Sequence, residues 1–176
     1  MRKLTLVLVS LALACGLFIA AHPRPGKLLL RATFPRQQGA PLAPDLALTD
    51  LDGKTVKTSN LTGKVVVVNF WAAWCTSCAR EAPRFVSLQE KYGSQGLQVI
   101  GISIDDEESD LRDFCRRVQV NYPVIAGTQK IAEGYGGILG LPTTFIVSRD
   151  GRIRKKLAGS TDFDELEREV LELLGR

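Results

Sequence analysis

Val65-Val66-Val67-Val68-Asn69-Phe70 runs directly into Trp71-Ala72-Ala73-Trp74-Cys75-Thr76-Ser77-Cys78. A run this apolar suits a strand buried on both sheet faces. The Cys-x-x-Cys pair falls where that strand hands over to a helix, so the strand end fixes its position. The helix aims its first free N–H groups and its positive dipole end at Cys75, which favours thiolate over thiol. Two intervening residues make one helical turn, so Cys78 can close a disulfide with Cys75 without backbone rearrangement. Zinc would want about four ligands. No second Cys-x-x-Cys exists, and the only histidine, His22, sits beside the hydrophobic amino terminus. A pair so placed, beside a βαβ-like pattern, points to redox chemistry.

A chain of 176 residues fits one domain plus an appendage, and a hydrophobic content of 45% is enough for a core. The formal charge of +4 comes partly from Arg2, Lys3, Arg24, Lys27, Arg31 and Arg36, ahead of the expected domain. Later basic residues are interleaved with acids, as in Glu165-Leu166-Glu167-Arg168, which means a solvated surface and no nucleic-acid partner. Arg2-Lys3 precedes an uncharged, mostly apolar stretch from Leu4 to Ala21. Residues 1–21 are therefore expected to be a signal peptide or membrane anchor. Three readings stay open: an uncleaved anchor, lipidation at Cys15 behind Ala12-Leu13-Ala14, or cleavage after Ile19-Ala20-Ala21. All three put the rest of the chain on the extracytoplasmic face of the membrane. Residues 22–40 read as a Pro-rich spacer, and residues 41–176 as the folded domain.

Within that domain, Asp45–Thr49, Asp52-Gly53 and Lys54–Lys57 read as a hairpin with an Asp-Gly turn. Ser59 to Thr62 suits one short helical turn. The helix at Cys78 carries Ala82, Phe85, Leu88 and Tyr92 on one face and ends at Gly93 and Gly96. Leu97–Ser103 is the next strand, and a second helix begins near Ser109 and ends before Tyr122-Pro123. In that helix Leu111, Phe114, Cys115 and Val118 share one apolar face, so Cys115 is expected to be a buried structural thiol, with a redox or intermolecular role as the alternative. Pro142–Ser148 and Arg152–Leu157 are two further strands. The last helix starts near Asp162, with Glu165 completing a capping box. The order β-α-β-α-β-β-α predicts an α/β fold, a central sheet with helices on both faces.

These residues resemble the thioredoxin-like superfamily and, more narrowly, its membrane-tethered thiol–disulfide oxidoreductases of the TlpA/ResA kind. The similarity runs from about Pro41 to the C-terminus. Asp52-Gly53-Lys54 to Ser59-Asn60-Leu61 resembles that family's added N-terminal β-hairpin, and Asn69 to Cys78 its active-site run. Glu81-Ala82-Pro83 resembles its post-motif segment, and Gly140-Leu141-Pro142-Thr143-Thr144-Phe145 its proline loop. Asn69 stands where thioredoxins place a buried aspartate, as is usual in this branch. Thr76-Ser77 replaces their Gly-Pro between the cysteines. The resemblance implies a thioredoxin-like fold with a mixed sheet and a cis bond before Pro142. Leu141 and Pro142 would then offer a docking edge beside Cys75.

Each of these residues has a physical task. Cys75 is expected to attack a partner disulfide and Cys78 to resolve the mixed disulfide. Glu81, one turn past Cys78, is placed to relay protons; the plainer reading makes it a surface acid of the first turn. Pro83 inside a helix removes a backbone bond and bends it. Trp74, adjacent to Cys75, is expected to cover part of the site and contact substrate. The function that follows is an exported thiol–disulfide oxidoreductase reducing target protein disulfides, with apocytochrome c haem sites among the targets the resemblance implies. Electrons would come from a membrane thiol–disulfide donor. A monomer is expected, membrane-bound through its amino terminus, with no cofactor and no metal. The alternatives are a peroxiredoxin-like thiol peroxidase and a copper-binding assembly module using Cys75 and Cys78 as soft ligands.

Overall fold

A computed structural model describes residues 39–104 and 107–176. The expected anchor or signal over 1–21, Cys15 and the spacer up to residue 38 lie outside the described residues.

Strands β1 (Ala47–Thr49) and β2 (Thr55–Lys57) pair as the hairpin, with Leu48 opposite Val56. Its turn is closed by Asp50, whose carboxylate accepts the N–H groups of Asp52 at 3.0 Å and Lys54 at 2.8 Å. Gly53 takes a positive φ of 78° there, a conformation open to glycine at no steric cost. A 3-10 turn follows at Thr58–Leu61.

Strand β3 (Val65–Trp71) is buried at every position, as its composition requires. It leads into helix α1 (Thr76–Tyr92), strand β4 (Leu97–Ser103) and helix α2 (Glu108–Val118). Strand β5 (Val124–Ala126), helix α3 (Gln129–Gly134), strands β6 (Thr143–Val147) and β7 (Ile153–Ala158), and helix α4 (Phe163–Leu174) complete the order. The five-stranded sheet runs β5-β4-β3-β6-β7, parallel across β3, β4 and β5 and antiparallel through β6 and β7.

Two elements escape the pattern reading: β5 and α3 lie between α2 and β6. Their three and six residues are too short to display a period. Strand β5 gains its place from the register of Gly101 opposite Val124 and from the Leu51 N–H donating to the Val124 carbonyl at 2.8 Å. The capping box at α4 is only half built. Asp162 accepts the N–H groups of Asp164 and Glu165, each at 3.0 Å, but the Glu165 carboxylate pairs with Lys155 on β7 instead.

The steps β3–α1–β4 and β4–α2–β5 move the same way across the sheet, so crossovers of one hand put α1 and α2 on one face. Packing agrees. Leu111 and Phe114 of α2 share a cluster with Trp71, Cys78 and Ala82. On the same face Phe85 and Leu88 of α1 and Phe163, Leu166 and Val170 of α4 cover Val65, Val67 and Val99. Ile131 and Tyr135, from α3 and its end, cover Val68, Phe70 and Phe145 on the opposite face, beside the hairpin residues Leu48 and Val56. Each fully buried aliphatic or aromatic side chain contributes about 1.5–3 kcal/mol. The two layers thus clamp β3 and fix the point where it ends. Among the described residues no helix is long and apolar enough to cross a membrane.

Candidate active site

The chain leaves β3 at Trp71 and must turn before α1 can begin. Cys75 occupies the N-cap of α1 with extended backbone, φ −79° and ψ 107°. The polar side chain at that position ordinarily accepts one of the orphan N–H groups of the first turn. Here a sulfur does so: the Cys78 N–H donates to Cys75 Sγ at 3.3 Å. The Ser77 hydroxyl lies 3.4 Å from the same sulfur. Cys75 and Cys78 are joined as a disulfide, Cα to Cα 5.2 Å, the separation one helical turn provides. Cys75 is 7% exposed and Cys78 3%.

Trp74 is 65% exposed on the rim, whereas Trp71 is buried with its ring 4.7 Å from that of Phe114. The Leu141–Pro142 bond is cis, and Leu141 packs against the cluster that contains Cys75 and Cys78. The Thr143 hydroxyl donates to the Gly140 carbonyl at 2.8 Å, and the Gly159 N–H to the Pro142 carbonyl at 2.9 Å, so both sides of the proline are tied down. The pair of cysteines, the exposed indole and the proline loop therefore meet at one end of the sheet.

Glu81 is no surface acid. It is 8% exposed, on the buried face of α1 that also carries Cys78 three residues earlier. Residues at that spacing are neighbours on a helix, with Cβ atoms about 5–6 Å apart. Both of its oxygens are engaged: Oε1 accepts the Thr161 N–H at 2.8 Å and Oε2 the Thr161 hydroxyl at 2.9 Å. Thr161 Oγ1 lies 3.4 Å from Thr144 Oγ1, and Thr144 Oγ1 accepts from Asn69 Nδ2 at 3.0 Å. All four residues are buried.

Ser77, Thr161 and Thr144 are the participants that pattern reading misses. Thr144 and Asn69 do carry a signal, since polar residues inside apolar strands must find partners. Thr161 carries none, lying 80 residues from Glu81. Cys115 takes no part in the disulfide. Its free thiol is only partly buried, against the same cluster that contains Cys75 and Cys78, and burial pushes it up from 9.0 to about 11.

Residues 41–156 match the AhpC/TSA family. The chain is 34% identical over 126 residues to the thiol-disulfide oxidoreductase ResA of Bacillus anthracis, covering 71% of this chain and 72% of that one. Among solved structures it is similar to a thioredoxin-family thiol:disulfide interchange protein of Chlorobium tepidum, with a TM-score of 0.73 and 28% identity over 77% of this chain and 97% of the other. A candidate DsbE thiol:disulfide interchange protein of the same organism is similar too. Its TM-score is 0.71 at 33% identity, covering 77% of this chain and 97% of that one.

Proposed function

Because the chain belongs to the AhpC/TSA family of thioredoxin-like proteins and is a ResA-like thiol–disulfide oxidoreductase, we propose that it works as a reductase outside the cytoplasm. Its targets are disulfides of exported proteins, those of apocytochrome c haem sites included, and a membrane thiol–disulfide carrier returns its electrons. The amino-terminal segment, with Arg2-Lys3 ahead of the apolar stretch Leu4–Ala21, tethers or exports the domain.

In the reduced protein the Cys75 thiolate attacks one sulfur of the target disulfide, and the other target sulfur leaves and takes a proton. Cys78 then gives up its proton to the Glu81 carboxylate and attacks Cys75 Sγ, releasing the second target thiol. The Cys75–Cys78 disulfide remains; relative to the dithiol the pair has lost two electrons and two protons, one when Cys75 ionised and one through Glu81, which passes it to the departing target thiolate. Trp74, Leu141 and Pro142 hold the target chain during the exchange.

One observation carries this reading. Cys75, not Cys78, is the N-cap of α1, and its sulfur receives the Cys78 N–H, so negative charge is favoured at the first cysteine. The test is trapping in cells with the full chain. Cys78→Ser retains a mixed disulfide between Cys75 and an exported partner, and Cys75→Ser retains none. Trapping by Cys75→Ser alone would reverse the roles.

A further inference from the structure

Behind Glu81 a row of buried polar side chains crosses from the helix layer into the sheet. Thr161 has a single hydroxyl proton, and it goes to Glu81 Oε2. In the 3.4 Å contact between the two hydroxyls Thr161 can therefore only accept, so Thr144 is the donor. Thr144 Oγ1 in turn accepts from Asn69 Nδ2, a nitrogen that has hydrogens to give and no lone pair to offer. With the carboxylate charged and ready to accept a proton, proton stoichiometry makes every bond in the row run one way, from Asn69 through Thr144 and Thr161 to Glu81. Aligned bonds of this kind reinforce one another in a medium of low polarity. Asn69 and Thr144 are direct partners in the β3–β6 register, which fixes the start of the row to the centre of the sheet.

We propose that Thr144, backed by Asn69, is a positioning residue for the resolving step, holding Glu81 through Thr161 as the acceptor of the Cys78 proton. This rests on the proton-accepting role given to Glu81 above. In the step concerned the Cys78 S–H proton moves to Glu81 and its sulfur attacks Cys75 Sγ. The target thiolate departs, and the proton on Glu81 passes to it. Thr144 gains and loses nothing; it keeps Thr161 from turning its hydroxyl proton away from the carboxylate. The attack by Cys75 on the target needs no such acceptor, so Thr144 leaves that first step alone.

The two steps separate with Ellman's disulfide and the reduced full chain carrying Cys15→Ser and Cys115→Ala, so that Cys75 and Cys78 are the only thiols that report. Attack by Cys75 releases one coloured thiolate, and resolution by Cys78 releases a second. Thr144→Val keeps shape and strand preference but removes the hydroxyl. It slows the second release about tenfold and leaves the first within about twofold, against the larger loss expected when the proton acceptor itself is removed. Thr144→Ser restores the second release. Asn69→Asp, whose carboxylate takes the Thr144 proton for itself, slows the second release as Thr144→Val does. In a Glu81→Gln background Thr144→Val adds no further slowing, as residues acting through one another require. Slowing by Thr144→Val that is equal in both backgrounds, or that Thr144→Ser fails to relieve, overturns the proposal. If Glu81→Gln slows the second release and Thr144→Val does not, the proposal alone fails. If Glu81→Gln itself leaves the second release untouched, the proton-accepting role of Glu81 fails and the proposal with it.

Discussion

At the scale of single residues, the reactivity of Cys75 rests on what touches one sulfur. An amide N–H and a hydroxyl converge on it, and both are uncharged. Ser77→Ala removes the second of these, and alkylation of Cys75 in the reduced protein at neutral pH is expected to slow about threefold, in line with one lost hydrogen bond. An equal rate in the variant would show the hydroxyl contact to be idle. Cys115 provides the contrast. Burial raises its thiol from 9.0 to about 11, so near pH 8 it holds about a hundredfold less thiolate than an ordinary cysteine. Iodoacetamide is expected to modify Cys75 in the reduced protein long before Cys115, as peptide mapping will show. The same shift bears on stability. The unfolded thiol ionises above pH 9 while the folded one stays neutral, so stability falls as pH rises from 9 to 11. In Cys115→Ala that part of the alkaline loss is expected to disappear. The spacing of Cys75 and Cys78 was legible because the chemistry is local, one turn of one helix. The partners of Glu81 were not, because Thr161 and Thr144 come to the site only through tertiary packing.

At the scale of elements, α1 is the part that carries the chemistry, and its grip on the sheet is apolar. Phe85 is fully buried, with its ring 4.9 Å from that of Phe163 on α4. Phe85→Ala is expected to cost about 3–5 kcal/mol in denaturant unfolding, the sum of lost transfer energy and a cavity. A loss below about 1 kcal/mol would mean that α4 collapses into the space. Asp162→Ala removes a cap that satisfies two N–H groups of α4, at a cost of about 1 kcal/mol. The hairpin, β3, β4 and the long helices were legible from turn residues, from continuous apolar runs and from the helical period of 3.6. Strand β5 and helix α3 were not, since Val124–Ala126 is a strand only by virtue of β4 beside it. The Glu165 half of the capping box failed for a related reason: Lys155 on the neighbouring strand offered its carboxylate a charged partner.

At the scale of the whole molecule, the two packed layers hold β3 rigid and leave its carboxyl end, with Cys75, Trp74 and the proline loop, at an edge a protein chain can reach. The central claim is that this edge donates electrons. A strongly stabilised thiolate makes an oxidant, because it favours the reduced form. Here the groups on the Cys75 sulfur are neutral, and a buried carboxylate stands near its partner. The midpoint potential of the Cys75–Cys78 couple, titrated in a thiol–disulfide buffer, tests this most directly. A value near that of thioredoxin, about −270 mV, is expected, and a value near the strong oxidants, about −120 mV, would show that the pair takes electrons from its partners instead.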